Sequence, residues 1–364
     1  MTIKGNKGEW SEFYAFLKIL TDGKMFSADK DLKILKDSFY IVLKIIREET
    51  KGAKHYDISK NDGKVIISDQ NSKLIDVVEL SKIKSGVSDI FEAMKKSSST
   101  TFQISSVGGI MKKLYCSQIK ASSGKKVDLI VSLYDKKTSI IPELGFSIKS
   151  MLGSPSTLLN ASGATNFIYK IIPGKKDNCD NDYANNMNGA SKMRDRSKYI
   201  YETGGELKFC GTDSDIFRKN LRKIDSNFPE IIAEIIKLYY KSKGSKISEL
   251  VDNLAEDKQF CEKMEMTKDD YMIIMKRFLS EIALGMKPKK EWDGRIKAHG
   301  GYIIVKEDGA VICYHLYDRD KFNEYLYNNT KLDTPSTTRH KFGDIYEENG
   351  EKMIKYNLQI RFIK

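Results

Sequence analysis

The chain has 364 residues, 40% of them hydrophobic, and a formal net charge of +12, so it can bury one large core or two to three packed ones and leans toward a polyanionic partner such as nucleic acid. No apolar run approaches the roughly 20 residues of a bilayer span, and MTIKGNKGEW lacks the apolar stretch of a signal peptide, so a soluble cytoplasmic protein with no membrane partner is expected. The five cysteines, Cys116, Cys179, Cys210, Cys261 and Cys313, are far apart without a CxxC pair, which argues against a zinc site and against a disulfide framework.

In chain order, residues 8–20 put Phe13, Phe16, Leu17 and Leu20 on one helical face. Leu32, Leu35, Phe39, Leu43 and Ile46 predict a second helix over residues 30–49. Strands are expected at 64–68 and 73–79, then a helix at 87–96 running into the loop SSSTT. KKVDLIVSLYDKKTSIIPELGFSIKSML reads as two strands around a turn at Asp135-Lys136-Lys137. SPSTLLNASGATNFIYKI reads as a helical segment, with Ser154 as N-cap and Pro155 at the first helical position. Residues 174–197 are rich in Asn, Asp and Gly and predict a long mobile loop. Helices follow at 214–241, 246–264 and 268–285, then hairpins over 301–317 around Asp308-Gly309 and over 342–363 around Asn349-Gly350.

The positive charge is concentrated. Between Gly109 and Lys176 there are eleven lysines and only three acids, Asp128, Asp135 and Glu143. Acids within a positive stretch suit a phosphate-binding site that also holds a metal. Phosphodiester hydrolysis needs a metal to polarise the phosphate and lower the pKa of a water, with a cation near the developing charge. Magnesium takes one or two carboxylates plus waters and a phosphate oxygen. The economical layout is an Asp heading one strand, with an acid or polar residue two positions before a Lys on the next. Asp128 heads VDLIVSLY, and Ser147 and Lys149 share a face of FSIKS. Ser147 stands where a Glu is usual, so another acid must bring the missing charge. Glu143 lies six residues from Lys149, about 20 Å along a strand. Glu9 and Glu12 open the first helix, and Glu9 shares the inward stripe of Phe13, Phe16 and Leu20. Catalytic candidates are therefore Asp128, Ser147, Lys149, Glu9 and Glu12, with Asp128 and Glu9 as metal ligands for Mg²⁺.

Candidate DNA contacts fall in two places. Ser154, Ser156, Thr157, Asn160, Thr165 and Asn166 follow Lys149 and offer hydroxyls and amides to phosphates. In TPSTTRHKFGDIY, Thr338, Arg339, His340 and Lys341 crowd together. In KMIKYNLQIRFIK, alternation puts Lys355, Asn357, Gln359 and Arg361 opposite an apolar face, and Asn357, Gln359 and Arg361 there suit base edges in a major groove.

GNKGEWSEFY, PELGFSIKSMLGSPSTLLNASGATNFIYKI, TPSTTRHKFG and NLQIRF together resemble the HpaII family of type II restriction endonucleases, and the resemblance runs from end to end. It implies an α/β (α+β) fold with a PD-(D/E)XK nuclease core, a mixed sheet flanked by helices, and further helical and hairpin elements for recognition. On that reading residues 1–173 form the catalytic core, 174–297 the mobile loop and helical region, and 298–364 a β-rich recognition region packed on the core. It also implies a prokaryotic enzyme that uses Mg²⁺ to cut both strands of double-stranded DNA at a short palindrome, with CCGG the site of the family's namesake. Asp128 and Lys149 take the core acid and lysine. A homodimer on DNA and a cognate DNA methyltransferase as genetic partner are expected. Two other readings stay open: a repair or junction nuclease of the same fold, and a DNA-binding protein that does not cut.

Overall fold

The computed structural model describes residues 3–59, 61–121, 127–134, 139–174, 179–296 and 298–363. Helices and sheets are mixed along the chain in an α+β arrangement. Packing divides it into two units, one of Met1–Ser156 with Ile296–Tyr325, the other of Thr157–Arg295 with Leu326–Ile363. Division at 173 and 297 was expected. Instead, residues 157–173 pack with the helical region, and the hairpin after residue 300 packs with the N-terminal segment. No helix among the described residues is long and apolar enough to cross a membrane.

The first unit is built around helix α1 (Lys7–Asp22). A capping box of Asn6 and Glu9 starts the helix, and Gly23 ends it in a left-handed conformation. Its apolar residues are so numerous that Trp10, Phe13, Tyr14, Phe16, Leu17, Ile19 and Leu20 are all buried. Strands follow as β1 (Lys24–Ala28), β2 (Ile34–Arg47), β3 (Lys54–Ser59), β4 (Lys64–Asp69) and β5 (Leu74–Glu79), then helix α2 (Ser81–Lys96). The unit is completed by β6 (Leu129–Tyr134), β7 (Glu143–Ser150), β8 (Gly301–Val305) and β9 (Val311–His315). The nine strands lie in the order β1-β9-β8-β7-β6-β2-β3-β4-β5, and β1 also bonds to β2, so the first six close on themselves. Pairs β7–β8 and β9–β1 are parallel, the rest antiparallel. Helix α1 packs on β7, β8, β9, β1, β2 and α2. It thereby presents its first turn beside the strand that carries Ser147 and Lys149.

In the second unit, strands 206–212, 166–172, 351–357 and 345–348 make an antiparallel sheet in that order. Strands 157–159, 360–362 and 330–332 make another. The helices Phe228–Tyr240, Ile247–Ala255 and Lys268–Leu284 supply its largest apolar faces.

Several elements differ from expectation. The helix expected at 30–49 is the long strand β2. Its apolar spacing matched a helical period, but SFYIVLKII is aromatic and β-branched, a composition that favours the pleated sheet. It pairs with β1, β3 and β6, with a register shift against β6 between Val42 and Lys44. The helix expected after Ser154 is also absent, so Ser154 caps nothing. Thr157–Leu159 and Asn166–Ile172 are strands joined by a short 3-10 turn at Gly163–Thr165. In NFIYKII the period is two, with Phe167, Tyr169 and Ile171 buried on one face. Within 174–197, Asn181–Asn185 and Lys192–Glu202 are helices where a loop was expected, the first capped by Asp180. Residues 175–178, and the turn expected at 135–137, lie outside the described residues. Both hairpins form as expected, and Asn349 and Gly350 both take positive φ, as a type I′ turn requires.

Candidate catalytic site and recognition turn

Asp128 immediately precedes β6. Its N–H donates to the Phe146 carbonyl at 2.9 Å, and its Oδ2 accepts the Ile148 N–H at 2.8 Å. The carboxylate is thus tied to β7 at the residue between Ser147 and Lys149, which alternation turns to the same face. Ser147 is buried. Lys149 extends over the Tyr302 ring of the neighbouring strand, with Nζ 5.4 Å from its centroid. Burial pushes the Lys149 ammonium below the ordinary lysine value. Asp128 and Glu12 pull it back up, while Lys120 adds to the fall.

The remaining acid comes from α1. Glu9 is occupied by the helix cap: its Oε2 accepts the Asn6 N–H at 2.9 Å, and its own N–H donates to Asn6 Oδ1 at 3.0 Å. Glu12, one turn on, lies deeper. Its Oε1 is 3.4 Å from Lys120 Nζ, whereas its Oε2 is buried with no hydrogen-bond partner among the described residues. Burial first, then repulsion from Asp128, raises the Glu12 carboxyl to about 7 against the pull of Lys120. Burial opposes the charge on Lys120 too, but attraction to Glu12 and Asp128 lifts its ammonium above the ordinary lysine value. The geometry therefore favours Glu12 over Glu9 as the acid that joins Asp128. Glu143 sits at the far end of β7, where it accepts from Ser132 Oγ at 3.3 Å and faces Lys44 at 3.8 Å.

Lys120 was not singled out by sequence reasoning. It is held by a buried pair, Arg47 and Glu49. Arg47 donates to the carbonyls of Gln118 and Ile119 at 2.7 and 2.6 Å, and Glu49 accepts the Ser117 N–H at 2.7 Å. No spacing in the sequence signals that link, because its ends lie 68 to 72 residues apart. Among the described residues no three His, Cys, Asp or Glu converge as a cation cage. Magnesium needs only one or two carboxylates and fills its shell with waters and substrate oxygens, so Glu12 and Asp128 are the residues that would hold one. The unpartnered Glu12 Oε2 is the donor such an ion would satisfy.

The expected DNA contacts separate into exposed and buried sets. Ser154 and Asn160 are exposed, Ser156 and Thr157 half-buried, Thr165 and Asn166 buried. Thr338, Arg339 and Lys341 are exposed and His340 half-buried, on a turn around the short helix Thr337–His340. Burial lowers His340 below the ordinary histidine value, helped by Arg339 and Lys289. Asn357 and Gln359 are buried rather than turned to a groove. The expected polar face fails because the neighbouring strand and the turn before it take up Asn357. Asn357 Nδ2 donates to the Ser162 carbonyl at 2.8 Å and to Asn166 Oδ1 at 2.6 Å. Arg361 is paired with Asp333 at 2.9 Å.

These buried residues hold the turn that carries Thr338, Arg339, His340 and Lys341. Asn166 Nδ2 donates to Asp213 Oδ2 at 2.9 Å and to the His340 carbonyl at 3.0 Å, and Asp213 pairs with Lys355 at 2.8 Å. Lys355 also accepts the Gly343 N–H through its carbonyl. From the helix Lys192–Glu202, buried Arg196 donates to the carbonyls of Ala184, Asn185 and Gly343 at 2.9, 2.6 and 2.8 Å and to Asp344 Oδ1 at 2.6 Å. Gly343 has φ 98°, and a Cβ there would meet Met193 Sδ at 2.2 Å, so the turn sits directly on that helix. Arg196 was missed because its helix is polar. The available signal was the stripe Met193, Arg196, Ser197 and Ile200, all buried.

Compared with known proteins, residues 6–362 match the family model described as HpaII restriction endonuclease. The chain is 40% identical over 360 residues to the type II restriction enzyme HpaII of Haemophilus parainfluenzae, covering 99% of this chain and 98% of that one. No solved structure matches.

Proposed function

The chain belongs to the HpaII restriction endonuclease family and is a type II restriction endonuclease, and we propose that it hydrolyses one phosphodiester in each strand of a short palindrome, CCGG being the first candidate, with Mg²⁺ held by Glu12 and Asp128. The observation that carries this reading is the Asp128 carboxylate, bonded to the Ile148 N–H between Ser147 and Lys149. It is the Asp…x-x-Lys arrangement of a PD-(D/E)XK nuclease core, with Ser147 in the usual acid's position and Glu12 supplying the charge from α1.

A divalent cation bound there would polarise the scissile phosphate and lower the pKa of a coordinated water. The chain's own residues do the rest. Asp128 is fixed by its two backbone bonds, so it needs no reorganisation on binding. Glu12 contributes Oε2, which has no competing hydrogen bond among the described residues. Lys149 Nζ donates to a non-bridging phosphate oxygen and orients the attacking water, offsetting charge as it builds at phosphorus. Its lowered pKa lets its proton move more readily than that of a solvated lysine.

Arg339 and Lys341 are the proposed base readers, since a guanidinium or ammonium on a rigid turn suits the O6 and N7 edge of guanine. Thr338 and His340 accompany them at phosphates, as do Ser154, Ser156, Thr157 and Asn160. Thr165, Asn166 and Asn357 act by holding the turn. Two identical sites on a two-fold axis match a palindrome most simply, so the working species on DNA is a homodimer. A DNA methyltransferase encoded nearby would protect the host's own sites.

Digestion of a sequenced, unmethylated plasmid with run-off sequencing tests the reading. Paired breaks in both strands at every CCGG are expected. Breaks at another palindrome would replace only the site. Structure-dependent nicking would favour a repair nuclease, and binding with no break in Mg²⁺ would overturn the reading.

A further inference from the structure

We propose that a hydroxyl-lined cleft adjoining the Glu12–Asp128 site is a second phosphate subsite, which grips the DNA backbone next to the scissile phosphate. The inference rests on the nuclease reading of that site. The cleft, of 690 Å³, is bounded by the start of α1, the loop after α2 and the segment after β7. Its lining includes Lys7, Ser98, Ser99, Thr100, Ser150 and Ser154, and among the described lining residues there is no carboxylate and no cation besides Lys7. Ser98, Ser99 and Thr100 are exposed, consecutive, and make no side-chain hydrogen bond to another described residue.

The cleft lies where the end of β7 meets the first turns of α1, the two elements that carry Lys149 and Glu12. Ser150 follows Lys149, and its Oγ lies 2.7 Å from Oγ of Ser11, the neighbour of Glu12. Lys7 belongs to the same lining. Gly153, at φ 99°, leaves room for it, since a Cβ there would lie 3.2 Å from Lys7 Cδ. Neutral hydroxyls with a single cation match a phosphodiester, which carries one negative charge. Such contacts fix the register of a duplex without reading its sequence. A dianionic phosphate would call for more positive charge than Lys7 gives.

The test uses full-length Lys7→Ala and the triple variant Ser98→Ala, Ser99→Ala, Thr100→Val, each checked for an unchanged melting temperature. Binding to CCGG-containing and scrambled duplexes is measured in Ca²⁺ across a salt series. Both variants are expected to weaken binding about tenfold, equally for the two duplexes. Lys7→Ala should also lower the slope of log affinity against log salt by about one. A duplex carrying one neutral methylphosphonate is then scanned across the site, and one position flanking the scissile phosphate should make Lys7→Ala silent. Wild-type affinity in both variants, while Asp128→Ala remains inactive, would overturn the subsite and leave the nuclease reading standing. Cutting by Asp128→Ala would overturn the reading itself.

Discussion

The catalytic site and the recognition turn handle charge in opposite ways. Glu12, Asp128 and Lys149 are half-buried, and burial disfavours the charge on Glu12 and on Lys149, one carboxylate oxygen of Glu12 having no hydrogen-bond partner among the described residues. Arg339 and Lys341 lie in solvent, on a backbone whose carbonyls are taken up by Asn166 and Arg196. In the first region the protein holds charges at a cost that the proposed metal and phosphate would relieve. In the second the cost is met in the scaffold, so that exposed cations arrive at DNA already positioned. Chemistry is expected to be sensitive to single charges, and recognition to the rigidity beneath the cations.

Lys149→Ala gives the largest expected effect: cleavage slower by several orders of magnitude, measured in single-turnover conditions, with binding in Ca²⁺ changed little. A near wild-type rate would make Lys149 a strand residue without a role and collapse the contrast. Arg196→Ala comes next. It orphans carbonyls of the helix Asn181–Asn185 and of the turn at Gly343, at about 3 kcal/mol or more of stability by denaturant titration. Arg196→Lys should not restore it, because one ammonium cannot reproduce the planar fork. If Arg196→Ala melts like wild type and keeps its specificity, the turn is not held from below.

How much of this was legible in the sequence follows from the distance over which each signal acts. Asp128, Lys149 and their strands could be read because the motif is carried by 22 consecutive residues and alternation. Helix α1 was legible from its apolar stripe, but the capping bonds of Glu9 were not. The stripe implied that Glu9 faces inward, while its capping bond to Asn6, a local polar interaction, set its direction. Strand β2 was read as a helix because apolar residues every three or four positions fit a helical stripe, and apolar spacing alone does not separate that stripe from a half-buried strand. Asn357 and Gln359 looked like a solvated face because alternation records which residues share a side, and says nothing of whether that side is buried. Arg47, Lys120, Arg196 and Asp213 act through partners about 70 to 150 residues away or through a chain of such contacts, and no short pattern marks them.

The pH response sharpens the comparison further. With Glu12 raised to about 7 from an ordinary 4.5, folded and unfolded chains both hold its proton below 4.5. Between 4.5 and 7 only the folded chain does, so stability falls as pH rises and the loss is complete above 7, about 3 kcal/mol. Metal-free Glu12→Gln should therefore melt higher than wild type at pH 8 but not at pH 4. Magnesium should raise the wild-type melting temperature at pH 8 and leave the variant unmoved. Glu9→Gln should cost about 1 kcal/mol of cap stability at either pH and keep the metal response. Identical melts for wild type and Glu12→Gln at both pH values would return the missing acid to Glu9. The smallest effect belongs to Arg339→Ala, about 1–3 kcal/mol of binding on the cognate duplex, with scrambled DNA nearly unaffected. Equal weakening on both duplexes would make Arg339 a phosphate contact.

The account's central claim is that the carboxylate fixed between Ser147 and Lys149 organises the cut. Asp128→Ala tests it most directly, assayed with Mg²⁺ for cleavage of a plasmid and with Ca²⁺ for binding of its cognate duplex. The account predicts no breaks in either strand and specific affinity within a few-fold of wild type. Sustained double-strand cutting by the variant in Mg²⁺ would contradict it.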